Sequence, residues 1–258
     1  MRPRVSVVVP THGRPVLLAR CLEALAGQTL PRADYEVIVV SDGPDAQTRA
    51  VLDRSAFAVR HLALPRRSGP AAARNAGWRA ALGTIVAFTD DDTVPSPDWL
   101  RAGLAELESG CDAVAGRVVM PIPLEPSDYE RDAARLADAE FVTANCFVSV
   151  AMLEAVGGFD ERFELAWRED SDLHFGLLAH GAAVRRAPRA LVVHPVRAAR
   201  WGVSLAQQRK VLFDALLYKK HRSLYRQRIR RKPRLDYYGA VAALVAAVAG
   251  LAGDAPAI

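Results

Sequence analysis

Paired cysteine is the first thing missing from this 258-residue chain, which has only Cys21, Cys111 and Cys146. They are odd in number, far apart and at no zinc-binding spacing, which excludes a disulfide framework and a zinc module and points to a reducing compartment. Signal-peptide character is missing too, because Met1-Arg-Pro-Arg leads straight into the apolar run at Val5. The expectation is a protein that works in the cytosol. Internal repeats and low-complexity tracts are absent before residue 236. Acids are absent from residues 219–234, which hold nine Lys or Arg. The formal net charge is +5, so the rest of the chain carries about −4. The basic character belongs to one segment and suits a local anionic surface; no nucleic acid-binding fold accompanies it, so no nucleic acid partner is expected.

What is present is the alternation of an α/β protein with an adequate core. Val5–Val9, Tyr35–Val40, Ala58–Leu64 and Thr84–Phe88 read as strands. Between them, Pro15–Ala26, Ala46–Arg54 and a stretch from Gly69-Pro70 to about Leu82 read as helices. Continuous apolar strands separated by helices predict a parallel sheet covered on both faces, with right-handed crossovers. Further on, Pro97–Ser109 reads as a helix capped by Ser96, Ala113–Met120 as a strand, and Asp128–Glu140 as a charged amphipathic helix. Ala144–Val150 reads as an apolar strand or turn, Glu169–His180 as a helix, and Ala182–His194 as two short strands.

Ligands of such sheets bind beyond the carboxyl ends of the strands. Those ends carry Pro10-Thr11, then Ser41-Asp42-Gly43, then Asp90-Asp91-Asp92. Three adjacent carboxylates repel one another and need a cationic partner. A hard divalent metal carrying a phosphorylated ligand is one solution, and a solvated acidic turn is the other. Asp42 is either a hydrogen-bond acceptor for a base or ribose or a turn-former before Gly43. Arg74 and Asn75 follow a helix start that favours anions, although Arg74 also fits as a surface charge. Glu169, Asp170 and Asp172 suit the start of a helix on electrostatic grounds alone. Trp167 suits either a sugar ring or the core, and His194 either a metal or a structural position.

Six segments taken together resemble family 2 of the inverting glycosyltransferases, with the GT-A fold. They are the Val5–Arg14 run, Val-Ile-Val-Val-Ser-Asp-Gly at 37–43, Gly-Pro-Ala-Ala-Ala-Arg-Asn-Ala-Gly at 69–77, Phe-Thr-Asp-Asp-Asp at 88–92, Val-Gly-Gly-Phe-Asp at 156–160 and Trp-Arg-Glu-Asp-Ser-Asp-Leu at 167–173. The resemblance implies a Rossmann-like, mostly parallel central sheet flanked by helices, with a C-terminal helical appendage. It divides the chain into a glycosyltransferase domain at 1–200, with a nucleotide-sugar half at 1–95 and an acceptor half at 96–200, and a segment at 201–258. It implies that Pro10, Thr11, Arg14, Asp42, Arg74, Asn75, Asp90 and Asp91 hold a nucleotide-sugar. Asp92, with His194, would bind Mn2+ or Mg2+ in the family's DxD pattern, in which the middle residue, Asp91, is left undefined. Asp170, with Glu169 second, would be the base that deprotonates the acceptor, and Trp167 and Asp172 would meet the acceptor.

The C-terminal segment carries a different message. Ser204–Ile229 has helical spacing of its apolar residues, and Tyr237–Gly253 is uncharged and apolar on all sides. Its readings are a short membrane-spanning or re-entrant helix, attachment to anionic lipid through 219–253, or an Ala-rich helix packed on protein. A membrane role favours the cytoplasmic face of an inner membrane and a glycan or lipid-linked acceptor, as in envelope polysaccharide synthesis. A metal-dependent nucleotidyltransferase and a non-catalytic nucleotide-sugar binding protein are the rival functions.

Overall fold

The computed structural model describes residues 2–200, 202–233 and 235–253. The chain divides into a unit at 1–217 and a second at 218–258. In the first, β1 (Val5–Thr11), α1 (Pro15–Ala26), β2 (Tyr35–Ser41), α2 (Ala46–Leu52), β3 (Arg60–Ala63), α3 (Pro70–Arg79) and β4 (Ile85–Thr89) alternate as expected. Then follow β5 (Val94–Pro95), α4 (Trp99–Glu108), β6 (Ala113–Val119), α5 (Asp128–Ala134), β7 (Asn145–Ser149), α6 (Val150–Val156), α7 (Glu169–Ala179) and β8 (Val184–Val193). The last helices are α8 (Val203–Gln207), α9 (Val211–Lys220), α10 (Arg222–Arg228) and α11 (Leu235–Gly253).

One sheet runs in the order β3-β2-β1-β4-β7-β6-β8-β5. The pairs β1–β2, β1–β4, β2–β3 and β6–β8 are parallel, whereas β7 and β5 pair antiparallel with their neighbours. The period-2 alternation of a strand sorts the side chains into two layers. Val5, Val7 and Val9 of β1 and Val37 and Val39 of β2 pack with Leu18, Leu22, Leu25, Trp99 and Leu104 of α1 and α4. Val8, Ile38 and Val40 face the other way, toward Ala73, Trp78, Leu153, Leu173 and Leu177 of α3, α6 and α7. Gly77 is what lets α3 lie so close to β1, since a Cβ there would collide with Val8. Leu173 and Leu177 are 1% and 0% exposed. Burying such side chains is worth about 1.5–3 kcal/mol each, so Leu173 and Leu177 fix α7, whose first turn carries the acids Glu169, Asp170 and Asp172.

Four local expectations need correction. Ser96 does not cap α4: its N–H donates to Leu191 and its carbonyl accepts from Trp99, so it continues the edge pairing and Asp98 takes the cap position without a side-chain bond. Residues 182–194 hold one strand, Val184–Val193, not two. Gly116 faces Ala187 while Arg117 faces Leu191, so Pro188–Ala190 bulges out of the ladder with β6, as befits a proline without a donor. The charged helix ends at Ala134 in a 3-10 turn over Arg135–Asp138, although its capping box at Ser127 and Glu130 is intact. The stretch 204–229 is broken into α8, a 3-10 turn at Gln208–Lys210, α9 and α10, with His221 at the break before α10.

All three cysteines are unpaired and buried. In the second unit, α11 exposes Tyr238, Val241, Leu244, Val245 and Val248, each at least 58% accessible. Among the described residues no helix is long and apolar enough to cross a membrane. Arg234, counted in the basic run, lies outside the described residues.

Candidate active site

The strand order turns back between the parallel neighbours β1 and β4, and the crevice of such a sheet lies at their carboxyl ends. There Thr11 Oγ1 donates to Asp91 Oδ2 at 2.7 Å, and Arg14 Nη1 donates to Asp91 Oδ1 at 2.9 Å. Asp91, 1% exposed, is thus a tie between the two strand ends. Burial pushes its carboxyl up, against the pull of Arg14 and Thr11. The turn beneath is closed by Thr93 Oγ1 donating to the Asp90 carbonyl at 2.7 Å. Cys21 Sγ lies 3.5 Å from the same carbonyl oxygen.

Asp90 and Asp92 flank this tie and point to other partners. Arg74 Nη2 donates to Asp90 Oδ1 at 2.7 Å, and Arg197 Nε stands 3.1 Å from Asp92 Oδ2. His194 Nε2 is 3.4 Å from Asp92 Oδ1. The imidazole arrives because β5 and β8 pair, Val94 opposite Val193, while the His194 N–H donates to Val119 at 2.8 Å. One donor atom from each of Asp90, Asp92 and His194 lies within 4.8 Å of the others. Two carboxylate oxygens and an imidazole nitrogen suit a divalent cation of the Mn2+ type, so the residues present fit a metal.

Arg74 joins this group to the start of α7. Its Nη1 donates to Glu169 Oε1 at 3.1 Å, and the guanidinium is 3% exposed. Its Nε–H is buried without a hydrogen-bond partner among the described residues. A buried donor left open carries a desolvation penalty, which an oxygen acceptor on a ligand would relieve. Burial, reinforced by Asp170 and Asp90 and opposed by Arg74, pushes Glu169 up to about 7. Burial raises Asp170 as well, although the Ser171 N–H donates to its Oδ1 at 2.6 Å. Asp90 goes the other way: burial is outweighed by Arg74, His194 and Arg14, which hold it below its usual range. Asp172 is 5% exposed in the first turn of α7.

The remaining expected residues have firm places. Asp42 is 7% exposed and its carboxylate accepts from the Ser68 N–H at 2.6 Å and the Gly69 N–H at 3.0 Å, fixing the entry to α3. Gly69 needs its left-handed φ of 92° there, and a Cβ would strike the Glu164 carbonyl. Pro10 is buried in β1. Asn75 is not presented to the crevice: Nδ2 donates to the Phe159 carbonyl and Glu161, and Oδ1 accepts from the Phe159 N–H and Trp78 Nε1. Trp167 is 39% exposed and outside the core. Its ring carries Arg168 at 4.9 Å and Lys210 at 5.7 Å. Arg197, Arg168, Lys210 and Asp214 were not legible as site neighbours, since none falls in a recognisable motif apart from Arg168, a bystander in its own.

The sequence pattern of glycosyl transferase family 2 matches residues 6–155, and that of glycosyl transferase family group 2 matches residues 85–252. Glycosyltransferase AglE of Haloferax volcanii is 31% identical over 61% of this chain and 56% of its own length. Pre-mycofactocin glycosyltransferase of Mycobacterium tuberculosis is 32% identical over 75% of this chain and 43% of its own. The chain spans about half the length of these curated relatives. Among solved structures, mannosyltransferase PcManGT of Pyrobaculum calidifontis, in complex with GDP-Man and Mn2+, superposes with a TM-score of 0.67 at 24% identity, covering 100% of this chain and 77% of that one. S. aureus TarS 1–349 in complex with UDP-GlcNAc gives 0.63 at 22% identity, covering 76% and 60%. That likeness shows the GT-A fold. With the family's pattern extending over more than half of the residues, the chain belongs to glycosyl transferase family 2.

Proposed function

We propose that this chain transfers a sugar from a nucleotide-diphosphate sugar to an acceptor hydroxyl in a single inverting displacement. The observation that carries the reading is the meeting, at one rim, of an Asp90–Asp92–His194 group with the Arg74-linked acids of α7. Arg74, with its open Nε–H, is suited to a diphosphate oxygen, and Arg14 and Arg197 add positive charge beside it. Asp90, Asp92 and His194 would hold Mn2+ or Mg2+, which supplies charge neutralisation for a departing nucleoside diphosphate. Asp170 is the base. Glu169 is bound to Arg74 and 5% exposed, whereas Asp170 is more accessible and bonded only to its own neighbour among the contacts described. A base must reach the nucleophile's proton, and that favours Asp170 of the two. Trp167, 39% exposed, is the residue offered to an acceptor.

The second unit supports a place at a membrane surface. Residues 219–232 are cationic without an acid, at about 1 kcal/mol per near-surface cation on anionic lipid. The apolar α11 follows. On this reading the protein sits at a cytoplasmic membrane face and the acceptor is lipid-linked or part of an envelope glycan. Flotation of the full chain with anionic but not zwitterionic vesicles tests the attachment; equal binding to both, or to neither, removes it.

The reaction is tested by a thermal-shift screen of nucleotide-sugars with and without Mn2+ or Mg2+, followed by product analysis. Release of nucleoside diphosphate with the stabilising donor is the expected result. Pyrophosphate release would favour a nucleotidyltransferase, and stabilisation without turnover a binding protein.

A further inference from the structure

Arg168 is the one non-glycine with a left-handed backbone among the described residues, at φ 73°. It stands directly before Glu169, and its carbonyl accepts from the Asp172 N–H at 2.8 Å, the bond that starts α7. Left-handed backbone is disfavoured for a side-chain-bearing residue and persists only when its surroundings enforce it. The group bonded to Arg168 is on α9. Asp214 Oδ1 accepts from Arg168 Nε at 2.7 Å, and Asp214 Oδ2 accepts from Trp167 Nε1 at 3.2 Å. A single carboxylate thus holds both side chains that precede the Glu169-Asp170 pair. Asp214 and Arg168 are each 24% exposed, so the bond is partly screened from water but not deep in the core. Lys210, four residues earlier, lies over the Trp167 ring and closes the same cage. An ion pair of this exposure contributes little to overall stability, which leaves local geometry as its main effect.

We infer that Asp214 is a positioning residue: by clamping Arg168 and Trp167 it holds the left-handed turn that aims Glu169 and Asp170 at the rim. This rests on the proposed transferase reading for its kinetic consequence, but not for its structural one. The structural consequence is tested by hydrogen exchange on the full chain. Asp214→Ala is expected to speed exchange of the Ser171 and Asp172 amides at least about tenfold, with α3 and α4 unchanged. Glycine adopts the left-handed turn without a clamp, so in an Arg168→Gly background the same substitution is expected to change exchange little. The kinetic consequence, read as nucleoside diphosphate release from the donor found in the screen, is a kcat lowered about 10–100-fold. KM for the donor stays near the wild-type value, and Asp214→Asn recovers part of the loss. The inference is overturned if exchange at Ser171 and Asp172 is unchanged in Asp214→Ala, if exchange rises throughout the unit, or if the two backgrounds respond equally. A wild-type chain that turns over no donor while the exchange pattern holds would sink the transferase reading and leave the clamp standing.

Discussion

Asp90 and Glu169 share one guanidinium and respond to it in opposite ways. Arg74 donates to both, at 2.7 and 3.1 Å. Asp90 is held below its usual range because His194 and Arg14 add to Arg74. Glu169 is pushed to about 7 because its other close neighbours, Asp170 and Asp90, are acids and burial dominates. A carboxylate surrounded by cations stays charged and suits holding an ion. One opposed by burial and by neighbouring acids takes up a proton near neutrality; Glu169 is that group and is bonded to Arg74, while Asp170 beside it, raised by burial as well, is the proposed base. The boundary between the two behaviours is a single side chain wide.

The strongest way to break this contrast is Asp170→Asn. If the α7 acids do the proton chemistry, kcat falls about 10²–10⁴-fold while metal-dependent thermal stabilisation by the donor persists; near-normal kcat would end the assignment. In the wild type, the raised carboxyl of Asp170 should make activity fall on acidification at a pH above the ordinary aspartate range. Arg74→Leu comes next, since it leaves carboxylates on both sides without their shared cation. Removing one partner of a buried pair costs about 3–5 kcal/mol, to be read from the urea midpoint; a loss under about 1 kcal/mol would mean the two groups do not depend on it.

Asp92→Asn probes the ion-holding side alone. A ligand at a hundred times its Kd stabilises by about 2.7 kcal/mol, and the Mn2+-dependent part of that shift should vanish while folding in metal-free buffer is retained. The effect confined to one pH window belongs to Glu169→Gln. In the metal-free wild type, folded Glu169 keeps its proton up to about 7, whereas the unfolded residue loses it near 4.5. The stability this group contributes is therefore present below about 4.5 and lost as pH rises through 7, with a slope on the order of 1 kcal/mol per pH unit. Glu169→Gln should flatten that decline; an unchanged slope would place Glu169 on the same footing as Asp90.

The strand ends were legible because buried parallel strands are written as unbroken apolar runs, and the acids that follow Phe88 have no stabilising reason to be there. The role of Asp91 was not, since its partners Thr11 and Arg14 lie 80 and 77 residues away. Arg197 and Asp214 escaped for the same reason: their contacts with Asp92, Arg168 and Trp167 are made by the fold, not by local pattern. Asn75 sat in a recognisable segment, yet its amide is spent on Phe159, Glu161 and Trp78. The bulge at Pro188 and the displaced start of α4 were settled by ladder bonds that spacing along the chain does not encode.

The buried thiols make the molecule its own reporter. Cys21 lies beneath the acidic turn and Cys146 in the sheet's other layer, both fully inaccessible and with thiols pushed up by burial. At these two thiols an alkylating reagent therefore reacts only with molecules that have opened, unlike Cys111, which is 8% exposed. Modification of Cys21 ahead of Cys146 would clock the loosening of the floor under the crevice, and simultaneous modification would clock loss of the whole sheet.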